Sequence, residues 1–359
     1  MQNSVSKRIS FRSFLLLLLL VLMGTSMVSA QTENPPPAEV LPTSYRLDGI
    51  THIYQGWNNC GPATIMMGLS YFGVVGDQNT AAQWLKPNTE DKNVSPWQMT
   101  EYVNTISGTG VQAALRYGGT QDLLKRLLAN NFPVVIESGY DPVSAGQGWM
   151  GHYLLVSGYD DAASTFLTQD SYDGPNLPYT YDHIQEYWQH FNYVYIVLYT
   201  PDREAELSVL LGTDWDSNQN AYNALIRATD EARADQQNPF AWFNVGTGYT
   251  LLGDFPRAAA AYDTARSLQL PWRMTWYQFG IFEAYLQTGR FEDVLALARA
   301  NLNDGGGQYV EETFYYGGLA RQGLGETQRA LDNLNGAISF NRNFTPALEA
   351  RDQILGTSG

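Results

Sequence analysis

The sequence predicts two folds in series, an α+β domain followed by an all-α solenoid, and three observations predict it. From Tyr54 to about Tyr199, helix-like runs come first and short β-rich runs such as Val134-Val135-Ile136 and Tyr153-Leu154-Leu155-Val156 come later. After Pro201 the texture changes to Ala-rich helical segments without strand signals. Gly253, Gly289 and Gly325 then recur at a period of 36 residues, the mark of a repeat array. A chain of 359 residues is long enough for two ordinary domains.

Taken in order, residues 1–30 have the layout of a secretory signal: basic Lys7, Arg8 and Arg12, an apolar run from Phe14 to Met23, and the small-residue ending Val28-Ser29-Ala30. Cleavage is expected after Ala30, placing a bacterial protein outside the cytoplasm, secreted or in the cell envelope. The apolar run is about half of the roughly 20 residues a span requires, so no membrane span is expected after cleavage; an uncleaved anchor is the alternative. Residues 31–43, with Pro35-Pro36-Pro37 and Pro42, read as a Pro-rich linker.

The formal charge is −15, and loss of three basic residues with the signal takes it to −18. Nucleic acid and anionic lipid are poor partners for such a surface. The chain has a single cysteine, so no internal disulfide can form, and in an oxidising compartment Cys60 must be either buried or used.

The informative segment of the first domain, residues 44–200, is Gln55-Gly56-Trp57-Asn58-Asn59-Cys60-Gly61-Pro62-Ala63-Thr64. From Ile65 to Gly73 the apolar spacing is helical, and Pro62 suits a first turn because its missing N–H has no intrahelical partner there. Cys60 therefore opens a helix, where the dipole and free amides favour a thiolate. A thiolate nucleophile works with an imidazole, which itself needs an orienting group. Gly151-His152 opens a buried-looking strand, and after the Asp160-Asp161 turn Thr165–Asp170 reads as its hairpin partner. Antiparallel pairing predicts Asp170 beside His152.

With these residues in view, the chain resembles the papain-like cysteine peptidases of the bacteriocin-processing (double-glycine leader peptidase-like) family, in a stand-alone exported form, over roughly residues 50–200. The resemblance implies Cys60 as nucleophile, His152 as general base and acid, Asp170 as orienting group and Gln55 as a side-chain donor to the oxyanion hole. Gln55 stands five residues before the cysteine where the family has six, so Asn58 or Asn59 is the alternative donor. His52, His183 and His190 lack a comparable setting and are expected on surfaces or at helix caps, and Trp57 and Trp149 are expected to line the cleft. No cofactor is implied. Asp170, Asp173 and Asp182 lack the spacing of a calcium loop, and no His-Glu-x-x-His, Gly-x-Ser-x-Gly or phosphate-loop signature occurs.

Residues 201–238 read as a helical linker or degenerate repeat, with a further helix pair capping the array as one possibility. From 239 to 356 the repeats resemble tetratricopeptide (TPR) units. Trp242, Val245, Gly246, Tyr249, Gly253, Ala258, Tyr262 and Ala265 stand where that family has its large, small and turn residues. A second unit keeps Tyr285 and Gly289 with Phe282 at the small position, and a third keeps Gly318, Gly325, Ala330 and Ala337. The full expectation is an α+β papain-like cysteine peptidase domain followed by an all-α TPR solenoid. It would hydrolyse a peptide bond in a peptide or protein substrate, while the repeats bind a protein partner or merely space and stabilise the chain. Two rivals use the same residues: a non-hydrolytic peptide- or cell-wall-binding module, and an acyltransferase.

Overall fold

A computed structural model describes residues 40–141 and 148–357. The signal at 1–30 and residues 31–39 of the linker lie outside the described residues, and from Leu41 the chain belongs to one compact unit. Its sheet comprises β1 (Ser44–Arg46), β2 (Gln112–Arg116), β3 (Val134–Tyr140), β4 (Met150–Asp160), β5 (Thr165–Asp170), β6 (Gly174–Thr180) and β7 (Tyr195–Tyr199). The order is β2-β7-β3-β4-β5-β6, with β1 also on β4, and every pairing is antiparallel.

The apolar runs that predicted strands are continuous because both faces of the sheet are covered. Alternate residues of each central strand serve opposite cores, as the two-residue side-chain period requires. Val134, Ile136, Leu154, Val156, Tyr195 and Val197 pack on one side with α4 (Gln121–Ala129), α5 (Tyr181–Gln189) and α6 (Glu204–Leu211). Val135, Tyr153, Leu155, Ile196 and Leu198 pack on the other with α1 (Cys60–Ser70), α2 (Gln78–Leu85) and α3 (Pro96–Glu101). The segment 201–238 is divided between two surroundings. Leu207 and Leu211 of α6 enter the first of these cores, and only α7 (Ser217–Ala234) stacks on the helices C-terminal to it, so no capping pair forms.

Those helices are α8 (Pro239–Leu251), α9 (Phe255–Ser267), α10 (Gly280–Gln287), α11 (Phe291–Leu302), α12 (Glu311–Gly323), α13 (Thr327–Phe340) and α14 (Thr345–Leu355). The 36-residue glycine period has a single conformational cause. Gly253, Gly289 and Gly325 each turn one helix into the next at φ +74°, +73° and +77°, a left-handed backbone that glycine adopts without a Cβ penalty. In all three turns the amide one residue later reaches a carbonyl five residues back: Asp254 to Tyr249, Arg290 to Tyr285, Glu326 to Arg321. Small residues then allow close packing between helices. A Cβ on Gly246 would stand 2.7 Å from the ring of Tyr262.

The helical region folds back onto the sheet domain through hydrogen bonds no local pattern announces. Glu312 accepts from Asn93 (3.0 Å) and Ser95 (2.9 Å), Asn341 and Asn343 donate to the carbonyls of Leu85 and Trp84, Gln278 to that of His190, and Asn244 to that of Gln189. Because Asn93, Ser95, Glu312, Asn244 and Asn341 are buried, separating the two parts would strand them.

Candidate active site

Cys60 is the first residue of α1, half-buried, with the Asn59 backbone before it in a non-helical conformation. The Cys60 amide therefore has no carbonyl within the helix to bond. β4 delivers His152, and Nε2 of its ring lies 2.8 Å from Oδ1 of Asp170. That bond leaves Nδ1 unengaged, and the imidazole is near enough to Cys60 to lower the pKa of its thiol.

The expected adjacency of His152 and Asp170 holds in a shifted register. A bulge between Val156 and Gly158 moves the pairing so that Asp170 faces Leu154, two residues along β4 from His152 and on the same side by the pleat. The carboxylate reaches back diagonally and is fully buried. It is held there by the amides of Tyr172 (2.8 Å) and Asp173 (3.1 Å) and by the Tyr179 hydroxyl (2.9 Å).

These contacts set the charges. Burial alone would raise the Asp170 pKa, but the His152 charge and hydrogen bond, with the two amides, bring it down to about 2. Burial pulls His152 down, and the Asp170 charge and hydrogen bond, aided by Cys60, outweigh it and carry it up to about 10. Burial also opposes the Cys60 thiolate. The hydrogen bond and charge of His152, followed by the Tyr153 and Gly61 amides, still leave its pKa below the ordinary 9.0. The arrangement shifts both groups toward the ion pair, a thiolate beside an imidazolium.

Gln55 shares the cleft with Cys60 and His152. Its Oε1 accepts from the Ser171 hydroxyl at 2.8 Å and its backbone amide bonds the Ser171 carbonyl, so the Nε2 donor is the end left for the cleft. The alternative donors are engaged elsewhere: Asn58 Nδ2 bonds the Glu90 carbonyl and Asn59 Nδ2 bonds Gln78 Oε1. The shorter spacing to the cysteine is absorbed by Asn58, whose φ of +54° turns the chain tightly before α1.

The cleft measures about 720 Å³. One wall is Gln55 to Asn58, Cys60, Lys92, Tyr140, Met150 to His152 and Tyr172; the facing wall is Arg273, Trp276, Tyr277, Asp304, Gly305 and Gly306 from the helical region. Trp57 lines it as expected, 66% exposed, with Lys92 4.5 Å over its ring. Trp149 does not line it. It stacks on Phe191 with a 9° interplanar angle and lies edge-on to Tyr277, inside the junction of the two regions.

His190 caps the C-terminus of α5, one of its two expected settings, but not at the surface. It is buried against Phe240, accepts a hydrogen bond from Trp149 Nε1, and is pushed by burial to about 4. His183 stacks between Tyr179 and Tyr187, and His52 lies edge-on to Tyr54. None of these three lines the cleft. Sequence reasoning missed Ser171, Tyr179 and the whole helical wall. Ser171 adjoins Asp170 and was open to inspection, whereas the wall is a consequence of tertiary packing. Among the described residues, no three His, Cys, Asp or Glu side chains gather to hold a metal ion.

Comparison with known proteins bears on the first domain. No curated protein matches the chain. Among solved structures, a protein described as a putative C39-like peptidase from Bacillus anthracis is similar over 44% of this chain and 98% of its own, at 14% identity and a TM-score of 0.36. A MamA RS-1 ArsTM double mutant is similar over 43% of this chain and 80% of its own, at 15% identity and a TM-score of 0.34. Residues 43–196 match the sequence profile of the Peptidase_C39 like family, so this sheet-containing segment is a C39-like domain, followed by a largely helical C-terminal region.

Proposed function

We propose that this protein is an exported cysteine peptidase that cleaves a peptide bond through a Cys60 acyl-enzyme. The observation that carries the reading is the chain of contacts Cys60, His152, Asp170 in one cleft, with the carboxylate 2.8 Å from the far ring nitrogen. Cys60 Sγ attacks the scissile carbonyl carbon. The oxyanion is met by the Cys60 amide and Gln55 Nε2, and His152 gives its proton to the leaving amine. Water, deprotonated by His152, then releases the acid and restores the thiolate. Asp170 keeps the ring oriented throughout and stabilises its charged form whenever it carries the proton.

The repeats at 239–356 are read as TPR units, on the strength of the three identical glycine turns and the small-against-large packing. Their placement adds a role: by supplying one wall of the cleft they select which peptides reach Cys60, so the substrate must thread between two domains. Partner recruitment through the repeats and location outside the cytoplasm belong to the same proposal.

Iodoacetamide labelling of Cys60 across pH 4 to 9 tests it, together with hydrolysis of a peptide library. Fast labelling below pH 7 that slows in His152→Ala, together with peptide cleavage abolished in Cys60→Ser, is the expected outcome. An ordinary thiol profile near pH 8.5, indifferent to His152, is incompatible with the proposal.

A further inference from the structure

A second cavity, of about 330 Å³, lies between the sheet domain and the first helix of successive pairs in the helical region. It is distinct from the catalytic cleft, with Tyr277 as the wall common to both. Its surface is unusual in composition. Tyr117, Tyr277, Phe279, Tyr315 and Tyr316 present rings, three carboxyl side chains join them, and no lysine or arginine among the described residues lines it.

The carboxyls are Glu137 on β3, Glu283 on α10 and Glu312 on α12. Glu137 is 2% exposed and Glu312 3%. Glu312 uses only half of its carboxyl in docking the domains. Oε1 accepts from Asn93 and Ser95, while Oε2 is buried without a hydrogen-bond donor among the described residues. A buried carboxyl oxygen with no donor is costly unless something supplies one. Aromatic faces and carboxylates together are the chemistry that binds organic cations, the rings through their quadrupoles and the carboxylates through charge-assisted hydrogen bonds.

We propose that this cavity is a binding site for a small organic ammonium ion, a primary amine or an amine-bearing side chain, held by Glu312 and Glu283 and packed among the tyrosine rings. Without a bound cation the electrostatics favour the neutral acids, so an ammonium ion would bind with release of a proton to solvent. Burial, then the neighbouring Glu311 carboxylate, pushes Glu312 well above its ordinary range, and burial beside Cys60 does the same to Glu137. A bound ammonium ion would supply the positive charge that the cavity wall does not. An inorganic cation is a poorer fit, because no three metal-ligating side chains converge among the described residues. The proposal is independent of peptide hydrolysis, since none of its carboxyl groups takes part in the chemistry at Cys60.

Calorimetric titration of the full chain with n-butylammonium chloride tests it, with n-butanol and sodium chloride as controls at matched ionic strength. Saturable binding of the amine alone is expected, unchanged when Cys60 is alkylated, and weakened at least tenfold in Glu312→Gln. Glu283→Gln, on the more open side of the cavity and outside the docking contacts, provides the second variant and is expected to weaken binding several-fold. The proposal is overturned by absence of saturable binding, by equal binding of n-butanol, or by affinity unchanged in both variants. Loss of binding on alkylation of Cys60 would place the amine in the catalytic cleft and also overturn it.

Discussion

The ring of Tyr277 occupies the space that a side chain at Gly151 would need: a Cβ there would stand 2.9 Å from Cδ1 of the tyrosine and 2.8 Å from Cζ of Phe191. Gly151 directly precedes His152, so the helical region is seated against β4 at the residue next to His152. Gly151→Ala is expected to cost on the order of 2 kcal/mol, as overpacking does, and to slow Cys60 labelling by displacing His152. Tyr277→Ala should recover part of that loss in the double variant, because the two substitutions share one contact. Urea unfolding of the four proteins measures the coupling; strict additivity would show that the contact is not the cause.

Asp170 depends on Tyr179, which no motif marks. Tyr179→Phe removes the hydroxyl bonded to Oδ2 while the two amides on Oδ1 remain. A loss of about 1 kcal/mol in transition-state stabilisation, roughly fivefold in kcat/KM, is expected. Asp170→Asn should be far more severe, with thiolate reactivity at pH 6 falling toward that of a free cysteine. Side-by-side rates of iodoacetamide labelling and peptide turnover decide the ranking, and equal effects of the two substitutions would contradict it.

The sign of the pH dependence of stability is set by the directions of the shifts. His152 is raised on folding from 6.5 to about 10, so its contribution is complete below 6.5 and disappears as pH rises through about 10. Asp170 is lowered from 3.8 to about 2, so its contribution is present above 3.8 and disappears as pH falls through about 2. The pair therefore stabilises the fold most fully between about pH 4 and 6.5. Asp170→Asn, which leaves His152 without its buried partner, should cost on the order of 3 kcal/mol at pH 5.5 and clearly less at pH 10. Denaturant midpoints at the two pH values provide the check, and a gap that widens with pH would contradict the assignment.

Gln55 separates transition-state stabilisation from nucleophile activation. Gln55→Ala is predicted to lower kcat by about 10²- to 10³-fold, the usual loss of one oxyanion donor. The low-pH alkylation rate of Cys60 should stay unchanged, because the Gln55 side chain is anchored on Ser171 rather than on the imidazole. Ser171→Ala, which frees the Gln55 amide to turn, should give an intermediate loss. A fall in alkylation rate equal to the fall in kcat would assign Gln55 to the nucleophile rather than to the oxyanion.

Two glycines of the helical region distinguish conformation from packing. Gly289 has φ +73° and open space around it, so Gly289→Ala should cost about 1 kcal/mol from backbone strain alone. Gly246 lies in helical backbone with the Tyr262 ring 2.7 Å from the added methyl. Gly246→Ala should therefore be rescued in part by Tyr262→Leu, whereas Gly289→Ala should not respond to any neighbouring substitution. Thermal unfolding of the single and paired variants reads this difference.

Local patterning carried a large part of this structure on its face. Cys60 opens α1 because Gly61-Pro62 and the apolar spacing after it specify a helix start, and the β4–β5 hairpin is written in its two β-rich runs and the Asp160-Asp161 turn. The glycine period is legible because each turn needs the same left-handed residue, a requirement local to the backbone. The register of Asp170 was less legible, since the bulge near Ser157 leaves no mark in composition and still moves the pairing along β4.

The sequence by itself thus determined the order of elements, the helix that Cys60 opens, the strands that carry His152 and Asp170, and the repeat turns, all set by short-range backbone and side-chain preferences. Only the tertiary structure decided that Trp149 and His190 meet at a junction, that Glu312 docks on Asn93 and Ser95, and that Trp276, Tyr277 and Asp304 face Cys60 across the cleft. Those relationships join residues tens to hundreds of positions apart. Their partners are chosen by the burial of two complementary surfaces, a condition that no local sequence pattern encodes.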